Sequence, residues 1–280
     1  MTDVYAHRGS RGTHPENTLP AFHAAVQSAC EGIELDVHLS SDGQLLVIHD
    51  EKVDRTTNGQ GLVRDFSLKE IKKLDAGSWF DDSYTFKGVK IPTLQEVLEA
   101  LKDWGFKGKL NIEIKTDKIV YPGIERKLVD LVHSDAWPFQ IIYSSFNPKS
   151  LKRLRLLDAN AQLGYLASDI NFLTKMFLRY YHKDAWHISY RMMKEFSKWK
   201  KNYPFARPYL EAAKCRVWTI NDPKKMRAVY SFGADAIITD YPERALALRS
   251  EIISEKKDLI LEMTSKGNQE IKLKKDEGDV

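Results

Sequence analysis

Four short apolar stretches of this sequence each run directly into polar side chains that can do chemistry. The stretches contain Val, Ile or Tyr, which is typical of β-strands, so each polar cluster lies where a strand leaves its sheet. A parallel barrel brings the carboxyl ends of all its strands to one rim, and such folds keep their active sites there. The sequence therefore predicts one active site, built from His7-Arg8, Glu34 with Asp36, His49-Asp50, and Glu113 with Lys115.

The remainder of the chain alternates strand and helix signals, which predicts an α/β fold of the TIM-type (β/α)8 class. Nine candidate strands compete for eight places, so we expect either 45–48 or 185–189 to lie outside the barrel. Residues 51 to about 92 do not fit the repeat and are predicted to form a small insertion. The barrel domain is expected to span 1–250. A charged segment at 251–280 is predicted to be one helix followed by a partly disordered tail.

Three acidic residues of the strand-end clusters are predicted to point into the barrel together. Side chains alternate along a strand, so Glu34 and Asp36 share one face, and Glu113 lies on the same face of its strand as Lys115. Converging carboxylates repel one another unless they are protonated or neutralised, and a hard cation with oxygen ligands neutralises them. We predict one divalent cation here, Mg²⁺ or Ca²⁺. The alternative for each acid is a solvated ion pair with a nearby Lys or Arg.

These motifs, in this order, match a known family. The chain also carries Pro15-Glu16-Asn17-Thr18, Ser145-Phe146-Asn147, Trp218-Thr219 with Asn221, and Thr239-Asp240-Tyr241-Pro242. From about residue 4 to about 246 it closely resembles the glycerophosphodiester phosphodiesterases of the soluble bacterial type. The resemblance implies a TIM-type barrel with the insertion over its mouth, and a bound divalent ion. It also implies hydrolysis of glycerophosphodiesters, such as glycerophosphocholine and glycerophosphoethanolamine, to an alcohol and sn-glycerol 3-phosphate.

A phosphodiester resists hydrolysis because its charge repels nucleophiles and its alkoxide is a poor leaving group. His7 and His49 are predicted to act as the acid–base pair, because histidine is the residue type best suited to proton transfer near neutral pH. Which of them is the acid stays open, as does the choice between attack by water and attack by the substrate's own hydroxyl through a cyclic phosphate. Arg8 and Lys115 are predicted to bind the phosphate, Arg8 through its planar fork and Lys115 as a point charge.

Three further residues are candidates for supporting roles. Glu16 and Asn17 are expected to fix the loop after the first strand. Glu16 would orient Arg8 or Lys115, whereas Asn17 could equally well cap the first helix. Trp218 is a candidate wall for the glycerol carbons. Strand alternation places Trp218 opposite Thr219 and Asn221 unless the strand ends between them.

Two other functions stay open. A lysophospholipase D-like hydrolase would use the same rim but would need an apolar trough for an acyl chain. The aromatic, basic stretch 171–209 could supply such a trough, so this hypothesis stays open. That stretch also allows weak contact with a membrane surface, although amphipathic barrel helices explain it better. A non-enzymatic barrel that binds phosphate esters would be expected to lack at least one of the two histidines and three acids, and none is missing.

Charge and cysteine content exclude several classes of protein. A net charge of +4 over 280 residues is too mild to indicate nucleic-acid binding and suits a small anionic substrate. Two cysteines, Cys30 and Cys215, indicate no disulfide framework. There is neither a secretory signal nor a stretch of about 18 apolar residues, so we expect no integral membrane segment and a cytoplasmic location.

Overall fold

The computed structural model describes residues 1–83, 85–169, 185–202 and 214–258, apart from the side chains at 196, 197 and 199–202. Its centre is a closed barrel of eight parallel strands with helices between them, so the prediction of a TIM-type fold is confirmed. The barrel closes because β1 pairs with both β2 and the last strand. The strands are β1 (Asp3–His7), β2 (Gly32–Leu39), β3 (Leu45–Val47), β4 (Lys109–Ile114), β5 (Gln140–Ser145), β6 (Gln162–Ala167), β7 (Ala185–Ser189), β8 (Cys215–Trp218) and β9 (Ala236–Thr239).

The strand outside the barrel is β3, and β7 takes a regular place between β6 and β8. β3 runs antiparallel to the end of β2, pairing Val37 with Val47 and Leu39 with Leu45. A tight turn over residues 40–44 joins the two strands, and so short a connection cannot make the crossover that parallel neighbours need. Of the two segments in competition, 45–48 is therefore the peripheral one.

Helices surround the barrel and begin at side-chain caps that are legible in the sequence. Thr18 caps the first helix, and Thr93 forms the predicted capping box with Glu96. Asn147 and Asp222 cap helices whose first residue is proline. The helices are α1 (Leu19–Gln27), α2 (Leu68–Ile71), α3 (Leu94–Asp103), α4 (Ile124–Val132), α5 (Pro148–Leu157), α6 (Tyr190–Asn202) and α7 (Pro223–Phe232), and residues 242–258 are also helical.

The main hydrophobic core fills the space between strands and helices. On β2, Ile33, Leu35 and Val37 are fully buried in this layer. The alternate residues, Glu34 and Asp36, therefore point into the barrel, as predicted. Burial of the apolar face against the helices fixes the register, since a slip of one residue would exchange the two faces. The core thus aims the carboxylates at the barrel axis.

A second, smaller core lies in residues 40–93, which we call the β3 excursion. It is built from Leu46, Ile48, Val53, Val63, Ile71, Ala76 and Ile91. The excursion holds β3, a 3-10 turn at Val63–Asp65 and the short helix α2. The excursion starts earlier than the predicted insertion at 51–92, because β3 pairs with β2 outside the barrel and is part of the excursion.

Two predictions fall largely on residues that are not described. Of the aromatic and basic stretch 171–209, only 185–202 lie in the described ranges, and of the tail 251–280 only 251–258 do. Among the helices in the described ranges, none is both long enough and apolar enough to cross a bilayer.

Candidate active site

The carboxyl ends of the barrel strands surround a cavity of about 90 Å³. Phe146, Leu166 and His187 line it from β5, β6 and β7 or just beyond. Three other predicted site residues, Glu16, Asn17 and Asp36, do not line the cavity but contact Arg8, which does. The predicted site residues that line the cavity itself are His7, Arg8, Glu34, His49, Glu113, Lys115 and Trp218.

Three buried carboxylates converge in this cavity as predicted. Glu34, Asp36 and Glu113 each have an oxygen within 4.8 Å of the others. Burial raises the pKa of Glu34 well above its usual value, and the charges of Asp36 and Glu113 raise it further. Burial and Asp36 likewise raise the pKa of Glu113 to about 7, against the opposing charge of Lys115. The cluster therefore lacks positive charge when all three acids are ionised.

The donor set fits a divalent cation. Three carboxylates lie beside two cationic side chains, so one negative charge is uncompensated in this group. A divalent cation and a singly charged phosphodiester would together bring it to neutrality. Among the described residues, the buried oxygens Asp36 Oδ1 and Asn111 Oδ1 accept no hydrogen bond. Oxygen-only ligands of this kind suit Mg²⁺ or Ca²⁺.

The two cationic residues touch the cluster directly. Lys115 Nζ lies 2.6 Å from Glu113 Oε1 and 3.4 Å from Asp36 Oδ1. Arg8 donates its backbone N–H to Glu34 Oε2 at 2.9 Å, and its Nε lies 3.3 Å from Asp36 Oδ2. Burial would raise the pKa of Asp36, but the charges of Lys115 and Arg8 hold it far below its usual range. Asp36 is therefore the permanently ionised member of the cluster.

Each predicted catalytic histidine is held by an aspartate. His7 Nδ1 donates to Asp240 Oδ1 at 2.6 Å, and Asn221 Nδ2 donates to Asp240 Oδ2 at 2.6 Å. Burial would raise the pKa of Asp240, yet the hydrogen bond from His7 and the charges of His7 and Arg11 lower it to about 2. An ionised Asp240 fixes the proton of His7 on Nδ1, so Nε2 is left toward the cavity, 4.0 Å from Glu34.

His49 has a matching arrangement with the aspartate that follows it. Its Nδ1 donates to Asp50 Oδ1 at 2.6 Å. Its backbone carbonyl accepts a hydrogen bond from His38 Nε2 at 3.0 Å, and His38 Nδ1 accepts from Tyr121 at 2.9 Å. Burial lowers the pKa of His38 to about 4, so His38 stays neutral and acts as a fixed donor. His38 thus contacts a candidate catalytic residue, although its sequence surroundings contain no matching set of acids.

Asn17 orients a cluster carboxylate and does not cap the first helix. Its Nδ2 donates to Asp36 Oδ2 at 2.9 Å, while Thr18 is the cap. Its backbone N–H donates to the carbonyl of Arg8 at 3.0 Å. Arg8 and Asn17 both have positive φ, 54° and 56°, a conformation that costs roughly 1 kcal/mol or more per non-glycine residue and gathers at functional sites. The strained backbone of this loop places the Asn17 side chain against Asp36.

Glu16 orients Arg8, one of the two partners predicted for it. Arg8 Nη1 donates to Glu16 Oε1 at 2.8 Å. Arg11 and Arg55 also donate to this carboxylate. Burial would raise the pKa of Glu16, but the hydrogen bond from Arg55 and the charges of three arginines lower it to about 2.

An apolar wall closes one side of the cavity. β8 ends at Trp218, so the strand does end between Trp218 and Thr219, and both residues line the cavity. The Trp218–Thr219 peptide bond is cis. Trp218 Nε1 donates to the carbonyl of His187 at 2.8 Å, and its ring meets Phe146 edge to face at 5.7 Å. The wall therefore consists of Trp218 and Phe146.

Sequence reasoning missed several residues that act on the histidines. Asp50 and Asp240 stand in the quoted motifs, but nothing in their local spacing reveals that each binds an imidazole. His187 lies buried at the cavity, where its Nε2 accepts from Arg216 at 2.8 Å, although its sequence surroundings contain no matching set of acids. Arg11 and Arg55 carry no local signal either, because their partners are distant in sequence.

Known proteins share both the sequence and the fold. The model of the glycerophosphoryl diester phosphodiesterase family matches residues 7–244. A glycerophosphodiester phosphodiesterase of Caldanaerobacter subterraneus is 40% identical over 88% of this chain and 97% of its own. One from Bacillus altitudinis is 36% identical over 90% and 100%. The solved structure of an Oleispira antarctica phosphodiesterase in complex with the product sn-glycerol-3-phosphate has a TM-score of 0.76 and 31% identity, covering 89% of this chain and 97% of its own.

Proposed function

This chain belongs to the glycerophosphoryl diester phosphodiesterase family, and on that basis we propose that it hydrolyses glycerophosphodiesters to an alcohol and sn-glycerol 3-phosphate. One observation carries the proposal. His7, His49, Glu34 and Glu113 line a single cavity, and Asp36, Asp50 and Asp240 lie close to these four residues. A phosphodiester needs charge neutralisation and two proton transfers, and this cavity offers groups for both.

Glu34, Asp36 and Glu113 are the residues that would hold one divalent cation, Mg²⁺ or Ca²⁺. When bound, such an ion supplies Lewis-acid polarisation of a phosphate oxygen. Arg8 and Lys115 would bind the phosphate as well, since both line the cavity and both are held in place by the acids beside them. The fixed positive charges stabilise the additional negative charge that builds up on the phosphoryl oxygens in the transition state.

His7 and His49 would carry out the proton transfers at Nε2. In each of them Nδ1 is bound to an aspartate, so Nε2 is the nitrogen that exchanges a proton with the substrate. One histidine removes a proton from the attacking oxygen, which is that of water or of the glycerol hydroxyl beside the phosphate. The other gives a proton to the departing alcohol, whose alkoxide would otherwise be a poor leaving group. Asp50 and Asp240 stabilise whichever imidazole is charged.

The glycerol carbons would lie against Trp218 and Phe146. Their edge-to-face rings form an apolar surface next to the phosphate-binding side chains. Residues of this kind recognise the glycerol phosphate half of the substrate. Among the residues that line the cavity, we find no separate group of side chains for choline, ethanolamine or inositol.

The direct test is release of sn-glycerol 3-phosphate from glycerophosphocholine, with and without a chelator. We expect turnover that the chelator abolishes, and His7→Ala and His49→Ala should each lower kcat by about 10²- to 10⁴-fold with little change in substrate binding. Absence of turnover in the presence of Mg²⁺ or Ca²⁺ would contradict the enzyme assignment and favour a phosphate-ester-binding barrel. Faster turnover of lysophosphatidylcholine would favour the lysophospholipase D-like alternative.

A nitrophenyl phosphodiester of glycerol assigns the two roles. Its leaving group is already acidic and needs no proton as it departs. The variant that lacks the general acid should therefore recover most of its rate on this substrate, while the variant that lacks the base stays impaired. Near-normal turnover of glycerophosphocholine by both variants would rule out the two-histidine mechanism.

A further inference from the structure

We propose that Glu16 is a positioning residue that holds both catalytic histidines at once through two arginines. The inference rests on the proposed function, because it assigns Glu16 a task in the acid–base step. It goes beyond orientation of Arg8, since the carboxylate is the only described group that joins the two histidine–aspartate pairs.

Two chains of hydrogen bonds, which we call arms, start at Glu16. The first arm leads to His49. Arg55 binds both oxygens of Glu16, with Nη1 at 2.9 Å from Oε2 and Nη2 at 2.7 Å from Oε1. The same guanidinium donates from Nε to Asp50 Oδ2 at 2.7 Å. Asp50 in turn accepts the hydrogen bond from His49 Nδ1. Every link in this arm is a charge-assisted hydrogen bond, which is the strong and directional kind.

The second arm runs to His7 and has the same order of groups. Arg11 donates from Nε to Glu16 Oε2 at 2.8 Å and from Nη1 to Asp240 Oδ2 at 3.2 Å. Asp240 accepts the hydrogen bond from His7 Nδ1. Both arms therefore read glutamate, arginine, aspartate, histidine, and both begin at the same carboxylate.

Burial explains why Glu16 is the fixed point. The Glu16 side chain is 2% exposed, while those of Arg11 and Arg55 are 34% and 40% exposed. Two arginines that reach solvent would have many rotamers without a buried anion to hold them. Three guanidinium groups surround Glu16 and lower its pKa to about 2, so it is ionised at neutral pH.

The two histidines lie on separate segments of the chain, and the hydrogen bonds through Glu16 join these segments. His7 and Arg11 belong to β1 and the loop after it, whereas His49, Asp50 and Arg55 belong to the β3 excursion, outside the barrel. Acid–base chemistry requires two nitrogens held in a fixed relation across one phosphorus. Glu16 ties the excursion to the first loop at the level of the site, so it sets that relation.

The experiment compares Glu16→Gln with Arg11→Ala, Arg55→Ala and the two double variants that add an arginine change to Glu16→Gln. We expect Glu16→Gln to lower kcat for glycerophosphocholine by about 10- to 100-fold, a larger change than the rise in KM that follows from the loosened Arg8. Adding either arginine change to Glu16→Gln should lower kcat by less than about twofold further, because that arm is already released. Glu16→Asp should recover part of the rate.

A readout that does not need activity is the proton resonance of each Nδ1–H. Short hydrogen bonds to aspartate move these protons downfield, and His7→Ala and His49→Ala assign them. Arg11→Ala should shift the His7 resonance alone, Arg55→Ala the His49 resonance alone, and Glu16→Gln both. If wild type turned over no glycerophosphodiester while this pattern held, the proposed function would fail and the positioning link would survive.

Glu125→Gln is the matched control. Glu125 is also a buried carboxylate bound by an arginine, but it lies on α4 and accepts from Arg153 of α5 at 2.6 and 2.9 Å. Glu125→Gln should lower the melting temperature but leave kcat and the Nδ1–H resonances of His7 and His49 unchanged. A kcat for Glu16→Gln within twofold of wild type would overturn the proposal. It would also be overturned if Arg11→Ala and Arg55→Ala lowered kcat by the same factors in the Glu16→Gln background as in wild type.

Discussion

Single residues of the acidic cluster have unequal roles. Asp36 is bound by Asn17, Arg8 and Lys115 and is fully ionised without any further cation. Among the described residues, Glu34 accepts one hydrogen bond, from the backbone N–H of Arg8, and it faces the two other acids. Glu34 is therefore the member whose charge depends most on a bound cation.

Glu34→Gln should change stability with opposite sign in the two metal states. Without a divalent cation the substitution removes buried repulsion, so the melting temperature should rise above that of wild type. With saturating cation it removes a ligand, so the variant should melt below wild type and lose turnover. Calorimetry with chelator and then with Mg²⁺ or Ca²⁺ measures both. Equal effects of the substitution in the two conditions would contradict the cation site.

Glu16 makes a prediction about acid stability. Its pKa is about 2 in the folded protein against 4.5 ordinarily, so its pairing stabilises the fold fully above pH 4.5 and is lost as the pH falls toward 2. The shift corresponds to about 3 kcal/mol at neutral pH. Denaturant unfolding should show Glu16→Gln less stable than wild type by about that amount at pH 7, with the gap closing in acid. A gap independent of pH would contradict the low pKa.

At residue scale, strand alternation was sufficient to predict the carboxylates, because Glu34, Asp36 and Glu113 lie on regular strands with a period of two. Alternation also placed His7 at the end of β1. It could not reveal that Asp240 binds His7, since the two are 233 positions apart and meet only when the barrel closes. The role of Asn17 was open for the same reason, as its partner Asp36 comes from another strand.

At the scale of elements, the β3 excursion carries one of the two candidate catalytic histidines. It positions His49 two residues after the end of β3, where Ile48 N donates to the carbonyl of Asp36 at 3.1 Å. The sequence did show that a helix could not fit between β2 and β3. It did not show where β3 would lie, because three apolar residues fit a barrel strand and an edge strand equally well.

Packing within the excursion should therefore affect catalysis. Leu46 is fully buried in the small core, and Leu46→Ala should lower the free energy of unfolding by about 2 to 5 kcal/mol. Its loss should also reduce kcat, because β3 carries His49. Leu151→Ala on α5, equally buried in the main core, should cost similar stability and leave kcat unchanged. Equal kcat in both variants would show that the excursion does not position His49.

At the scale of the whole molecule, the barrel gathers its charged and titratable groups at one small cavity of about 90 Å³. On the proposed function these groups would contact the phosphate and glycerol half of the substrate. We expect turnover of glycerophosphocholine, glycerophosphoethanolamine and glycerophosphoinositol to agree within about a hundredfold. Comparison of kcat/KM for the three substrates measures this. A larger preference for one of them would reveal a head-group site.

The β3 excursion and the barrel strands supply different parts of the candidate site. A plain barrel, with a helix in place of residues 40–93, would keep His7, Lys115 and all three acids at the carboxyl ends of its own strands. It would lack His49, Asp50 and Arg55, so on the proposed function it could bind a phosphate ester but would have one proton-transfer group instead of two. On that function, binding and hydrolysis depend on separable segments of the chain, and hydrolysis needs the one interruption of the regular fold.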